Sequence, residues 1–102
     1  MDLKPGTRLR SVMDATEVVV VKAPSGAVDL RCGGHEMVAI DAVIETPLDV
    51  VAGLDWGTQI GKRYANDDAG LELLCTKAGS GSLSVGDDVL TIKGAKPLPS
   101  SD

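Results

Sequence analysis

Apolar residues come in short bursts divided by turn-forming residues, and within the bursts the period is two rather than 3.6. Val28, Leu30 and Cys32 alternate with Asp29 and Arg31, as in a strand with one buried face. Val18, Val19, Val20 and Val21 are consecutive β-branched residues, which suit a pleated strand better than a helix. Being apolar on both parities, that strand reads as covered on both faces. Residues 7–13, 37–44, 58–64, 71–77, 83–85 and 89–93 are further predicted strands. Pro24-Ser25-Gly26, the cluster 66–70, the stretch 78–82 and Gly86-Asp87-Asp88 are the turns between them.

One segment departs from this rhythm. Thr46 suits a helix N-cap, Pro47 the first helical position and Asp49 the positive end of a helix dipole, and Gly53 can close the run. The spacing predicts a helical turn or two over 47–52. Nothing else is long enough for a βαβ crossover, and no internal repeat stands out. The pattern predicts an all-β fold, a small antiparallel barrel or sandwich of about seven or eight short strands, with at most one short helix near 47–52. Residues 1–95 form one domain in this reading. The stretch 96–102, with Pro97 and Pro99, cannot pair in a ladder and reads as an exposed tail.

Composition narrows the function classes. With no Phe, one Trp and one Tyr, the core must be aliphatic, and the scarcity of flat rings disfavours stacking platforms for single-stranded nucleic acid. A net charge of −5 argues against a nucleic-acid partner. No stretch has the length and apolarity of a signal-peptide core or a membrane span, so a cytoplasmic location with reduced thiols and no membrane partner is the expectation.

Candidate chemistry centres on Cys32-Gly33-Gly34-His35 and Cys75, which hold both cysteines and the sole histidine. Cys-Xaa-Xaa-His spacing with two intervening glycines lets two ligands reach one ion, so a zinc-type site of Cys32, His35 and Cys75 is one reading. The competing reading follows from parity: Cys32 shares a face with Val28 and Leu30, and Cys75 with Leu71 and Leu73. Both thiols then lie in an aliphatic interior and are inert, with no cofactor implied. A second cluster is Trp56, Lys62, Arg63 and Tyr64, the densest collection of groups able to grip an anionic or planar ligand. Arg8 and Arg10, two apart on the first strand, would extend it into a basic patch if that strand lay alongside. No nucleophile elbow, phosphate loop or EF-hand run is present.

The expectation is therefore a small non-enzymatic binding or accessory module. It would engage a larger protein partner through Trp56 and Tyr64, or self-associate through open strand edges. A metal-binding domain and a small-anion binder are the alternatives.

Overall fold

The computed structural model describes residues 3–24 and 26–93. It is all-β, and no helix occurs among the described residues. The strands are β1 (Arg8–Arg10), β2 (Glu17–Lys22), β3 (Leu30–Cys32), β4 (His35–Glu36), β5 (Val38–Ala39), β6 (Arg63–Asn66), β7 (Leu71–Lys77), β8 (Leu83–Val85), β9 (Asp88–Val89) and β10 (Thr91–Lys93). Six form one sheet in the order β10-β6-β7-β2-β1-β5, and four form another in the order β4-β3-β8-β9.

The two sheets share corners. Only Met37 separates β4 from β5, and only Leu90 separates β9 from β10, so each pair is one bent strand passing from sheet to sheet. The ladder runs through both bends: the Met37 N–H donates to the Leu30 carbonyl at 3.0 Å, and the Leu90 N–H to the Leu83 carbonyl at 2.8 Å. Joined this way, the sheets wrap one core built from Leu9, Val18, Val20, Leu30, Met37, Leu71, Leu73 and Leu83, together with both cysteines. Such closure leaves few open edges, which favours a discrete fold over edge-to-edge aggregation.

Several sequence expectations change in detail. Val18 and Val20 are buried but Val19 and Val21 only half-buried, because a single-layered wall has one inner face. The strand expected over 37–44 stops at Ala39, where the Ala42 N–H donates back to the Ala39 carbonyl and turns the chain. The strand expected over 58–64 begins only at Arg63: Lys62 donates to the Gln59 carbonyl across a turn whose Gly61 has φ +81°. The helical turn over 47–52 is replaced by an extended crossing. Leu48 donates to the Val12 carbonyl and Val51 to that of Gly33, so partners distant in sequence have displaced the local helical bonds. The 96–102 tail lies outside the described residues.

The largest change is a duplication. Residue pairs of the β1–β2 hairpin map onto those of the β6–β7 hairpin by a constant shift of 55: Arg8 opposite Val19 becomes Arg63 opposite Leu74, and Leu9 opposite Val18 becomes Tyr64 opposite Leu73. Past a loop two residues longer in the first copy, the shift is 53: Leu30, Met37 and Ala39 become Leu83, Leu90 and Ile92. The hydrogen bonds outside the ladders repeat too. Gly6 donates to Val20 and Gly61 to Cys75, while Gly33 donates to Ser82 and Gly86 to Asp29, all at 2.8 Å. Even the turns match, with the Ser11 hydroxyl accepting from Asp14 N–H as the Asn66 amide oxygen accepts from Ala69.

A pseudo-two-fold axis therefore runs between the Val19–Leu74 pair and the Arg31–Ser84 pair, each of which maps onto itself. Once the copies are aligned, Lys22-Ala23-Pro24-Ser25-Gly26 faces Lys77-Ala78-Gly79-Ser80-Gly81, and Gly6, Arg8 and Glu17 match Gly61, Arg63 and Glu72. Residues 41–57 link the two copies.

Candidate functional site

Because the copies are equivalent in backbone, positions where their side chains diverge show where the molecule has specialised. One end of the barrel has become polar. There the Ser11 and Thr16 hydroxyls act on the Cys32 thiol and that of Thr58 on Cys75, each favouring the thiolate, and the Thr16 and Thr58 oxygens lie 3.4 Å apart. At the other end the matching positions are Asn66, Leu71, Val85, Leu3 and Val20. Asp14 ties the polar end shut. One carboxylate oxygen accepts from Thr16 N–H at 2.9 Å; the other accepts from Ser80 and Gly81 N–H at 2.7 and 2.9 Å. Burial alone would raise the Asp14 pKa, but these bonds outweigh it and hold the carboxyl below its ordinary value.

Both thiols are free and fully buried, as the odd-even pattern predicted. Burial pushes the Cys32 thiol up to about 11 and raises that of Cys75, whose S–H donates to the Lys77 carbonyl. Thiols so placed are poor nucleophiles. Cys32 and His35 face each other across a two-residue turn in which Gly33 and Gly34 both have positive φ, a type I′ hairpin. The ring nitrogen Nε2 of His35 hydrogen-bonds the Asp49 carbonyl of the linker at 2.6 Å. Among the described residues, no three His, Cys, Asp or Glu side chains form a group that could hold a metal ion, so Cys32, His35 and Cys75 are not brought together as a ligand set.

A thiol that is stable only when protonated gives stability a pH dependence. With the Cys32 pKa raised from 9.0 to about 11, its contribution is complete below pH 9 and is lost as pH rises toward 11. The loss amounts to about 2–3 kcal/mol, at roughly 1.4 kcal/mol per pKa unit. Cys32→Val copies the Val85 of the other half and should flatten this part of the curve. Urea midpoints of both proteins at pH 7.5 and 10 decide it, and parallel losses would exclude the thiol as the cause.

The second cluster is split by the structure. Trp56 and Tyr64 line one open groove of about 480 Å³ with Leu83, Val89, Leu90 and Ile92. Tyr64 is buried, its hydroxyl accepting from Gln59 N–H at 2.9 Å, which fixes the loop beside Trp56. Trp56 itself is 79% exposed. Arg63, next along β6, has the opposite parity and reaches Glu72 at 3.4 Å instead. Lys62 is exposed in the preceding turn and is not part of the groove lining. Nor does β1 lie beside β6 to make a basic patch with Arg8 and Arg10: it pairs with β2 and β5, and is the pseudo-symmetric counterpart of β6. No protein-family model, curated protein or solved structure matches the chain.

Val89, Leu90 and Ile92 were not singled out by sequence reasoning. Their signal was a short alternating strand, and its place beside Trp56 depends on β10 pairing with β6. In the first copy the corresponding residues are Glu36, Met37 and Ala39, so the groove is a specialisation of the second copy.

Proposed function

We propose that the chain is a non-enzymatic binding module whose recognition surface is the Trp56 groove and whose partner is another protein. The carrying observation is an indole 79% exposed beside an apolar groove, where Val89 and Ile92 also present exposed side chains. Exposed large apolar groups gathered at one concave site mark interaction surfaces, and Trp is the residue most enriched among interface anchors. The buried thiols support a structural role for Cys32 and Cys75 rather than chemistry, and free thiols fit a reducing compartment such as the cytoplasm.

Trp56→Ala should leave the melting temperature nearly unchanged, because the side chain is exposed. It should also weaken binding of an apolar fluorescent dye such as anilinonaphthalene sulfonate about fivefold or more, as removal of an anchor does. In the parent protein the bound dye should quench the single tryptophan. Undiminished dye binding by the variant would refute the groove as the recognition surface. Matched pull-downs with parent and Trp56→Ala baits would then identify the partner as the protein lost from the variant.

A further inference from the structure

The first copy shows how an extended chain can lie on this fold. In its crossing, the linker donates from Leu48 N–H to the Val12 carbonyl at 3.0 Å, and Ile44 and Pro47 face Val12 and Met13 across a shallow cleft. The pseudo-two-fold axis carries Val12, Met13 and His35 onto Asp67, Asp68 and Asp88. These three aspartates line a matching cleft of about 280 Å³ whose lining contains no linker residue. That cleft shares Val89 and Thr91 with the Trp56 groove, so the two are continuous along the bent strand β9–β10.

The edge beneath is suited to main-chain pairing. β10 ends its sheet, and alternation sends the N–H and C=O of Ile92 to the same side as those of Leu90. Leu90 is received by Leu83, the first residue of β8, so Ile92 lies past the end of that strand. The charge of the surface names the chemistry of its occupant. Among the described residues the ion pairs join Arg31 to Asp29, Arg63 to Glu72 and Lys77 to Glu17, and leave Asp67, Asp68 and Asp88 to face solvent.

We infer that the second copy receives an extended segment of a partner protein, with cationic side chains over Asp67, Asp68 and Asp88 and apolar ones in the Trp56 groove. The segment crosses the turns at Asp67 and Gly86 as the linker crosses those at Val12 and Gly33, and continues along the edge of β10. Main-chain bonds to a strand edge supply affinity in such docking, and alternate side chains supply selectivity. The net charge of −5 speeds the approach of such a partner. This inference rests on the groove reading above and adds the charge and backbone form of the ligand.

The probe is a peptide copying residues 43–50 of the linker with E45K and D49K exchanged into it; the unexchanged peptide is the control. Titrated against the full chain and followed by Trp56 emission and calorimetry, the lysine peptide should bind at least about tenfold more tightly than the control, and less tightly as salt is added. The combined variant Asp67→Asn, Asp68→Asn, Asp88→Asn changes only exposed side chains and should remove that preference. Absence of lysine-peptide binding, or a preference unchanged by the Asn variant, would overturn the inference. If both peptides bind equally and Trp56→Ala weakens both, the inference falls and the groove reading stands. If Trp56→Ala leaves calorimetric binding of the lysine peptide intact, the groove falls from both.

Discussion

Gly79→Ala is expected to lower the stability of this protein by about 3–5 kcal/mol, the sum of overpacking and of lost charge-assisted hydrogen bonds. A Cβ at residue 79 would stand 2.0 Å from the Thr16 hydroxyl oxygen and 2.6 Å from an Asp14 carboxylate oxygen. Neither can move cheaply. Thr16 is fully buried against Thr58, and Asp14 holds the backbone of Thr16, Ser80 and Gly81 at once. Gly79 is itself pinned from both sides, donating to the Thr58 hydroxyl and accepting from Thr58 N–H, each at 3.0 Å. The first copy carries Pro24 at the equivalent position, where Ala69 and Leu71 replace Asp14 and Thr16. Gly81 and Gly26 supply an internal control. A Cβ on Gly81 meets Gly33 nitrogen at 2.9 Å and the Cys32 sulfur at 3.0 Å, whereas one on Gly26 meets nothing within 4 Å. Gly81→Ala should therefore destabilise and Gly26→Ala stay within about 0.5 kcal/mol. For a domain of this size the Gly79 variant should melt roughly 10 °C or more below the parent. Equal melting temperatures for Gly79→Ala and Gly26→Ala would show that the Asp14 knot does not hold the barrel end.

Met37→Ala and Leu90→Ala should each cost about 2–5 kcal/mol, the range for emptying a buried large side chain. Both residues sit where a bent strand leaves one sheet for the other, and both side chains are buried in the core. The axis that relates the copies makes the two cavities equivalent in position. Their costs should agree to within about 1 kcal/mol, less than the spread such substitutions show between unrelated sites. Guanidinium unfolding of the two variants measures this. A large inequality would mean that the two corners are not packed alike, and the description of the barrel as a duplicated unit would lose its energetic content. Against a total stability of about 5–15 kcal/mol, either loss is large, and the double variant should not stay folded at 37 °C.

How much could be read beforehand differed from element to element. The strands 71–77 and 83–85 were legible to the residue, because alternation and flanking turn residues agree there. The burial of Cys32 and Cys75 was legible for the same reason: in a strand, neighbours two apart must share a face. The linker was misread as helical because Thr46, Pro47 and Asp49 carry local helix-start signals. In the folded chain Leu48 and Val51 donate instead to Val12 and Gly33, partners that no local signal reveals. The duplication was hidden because the shift changes from 55 to 53 within one loop and most aligned side chains differ. Its evidence lies in repeated pairing, which is a property of backbone geometry. Trp56 and Tyr64 were singled out for their chemistry, but their separation from Lys62 and Arg63 followed from parity on β6 and the loop tied to the Tyr64 hydroxyl.

By itself the sequence determined an aliphatic core, a strand period and the inward parity of both sulfurs, since these depend only on residue type and spacing of near neighbours. Tertiary structure alone decided that two similar halves close one barrel about an axis and that a linker covers one corner. It also decided that the matching corner offers aspartates beside an apolar groove. Those features arise from pairing between residues distant in the chain, 55 positions apart for Val19 and Leu74 and 36 for Leu48 and Val12, and such register is set by the closure of the whole ring rather than by any stretch of chain.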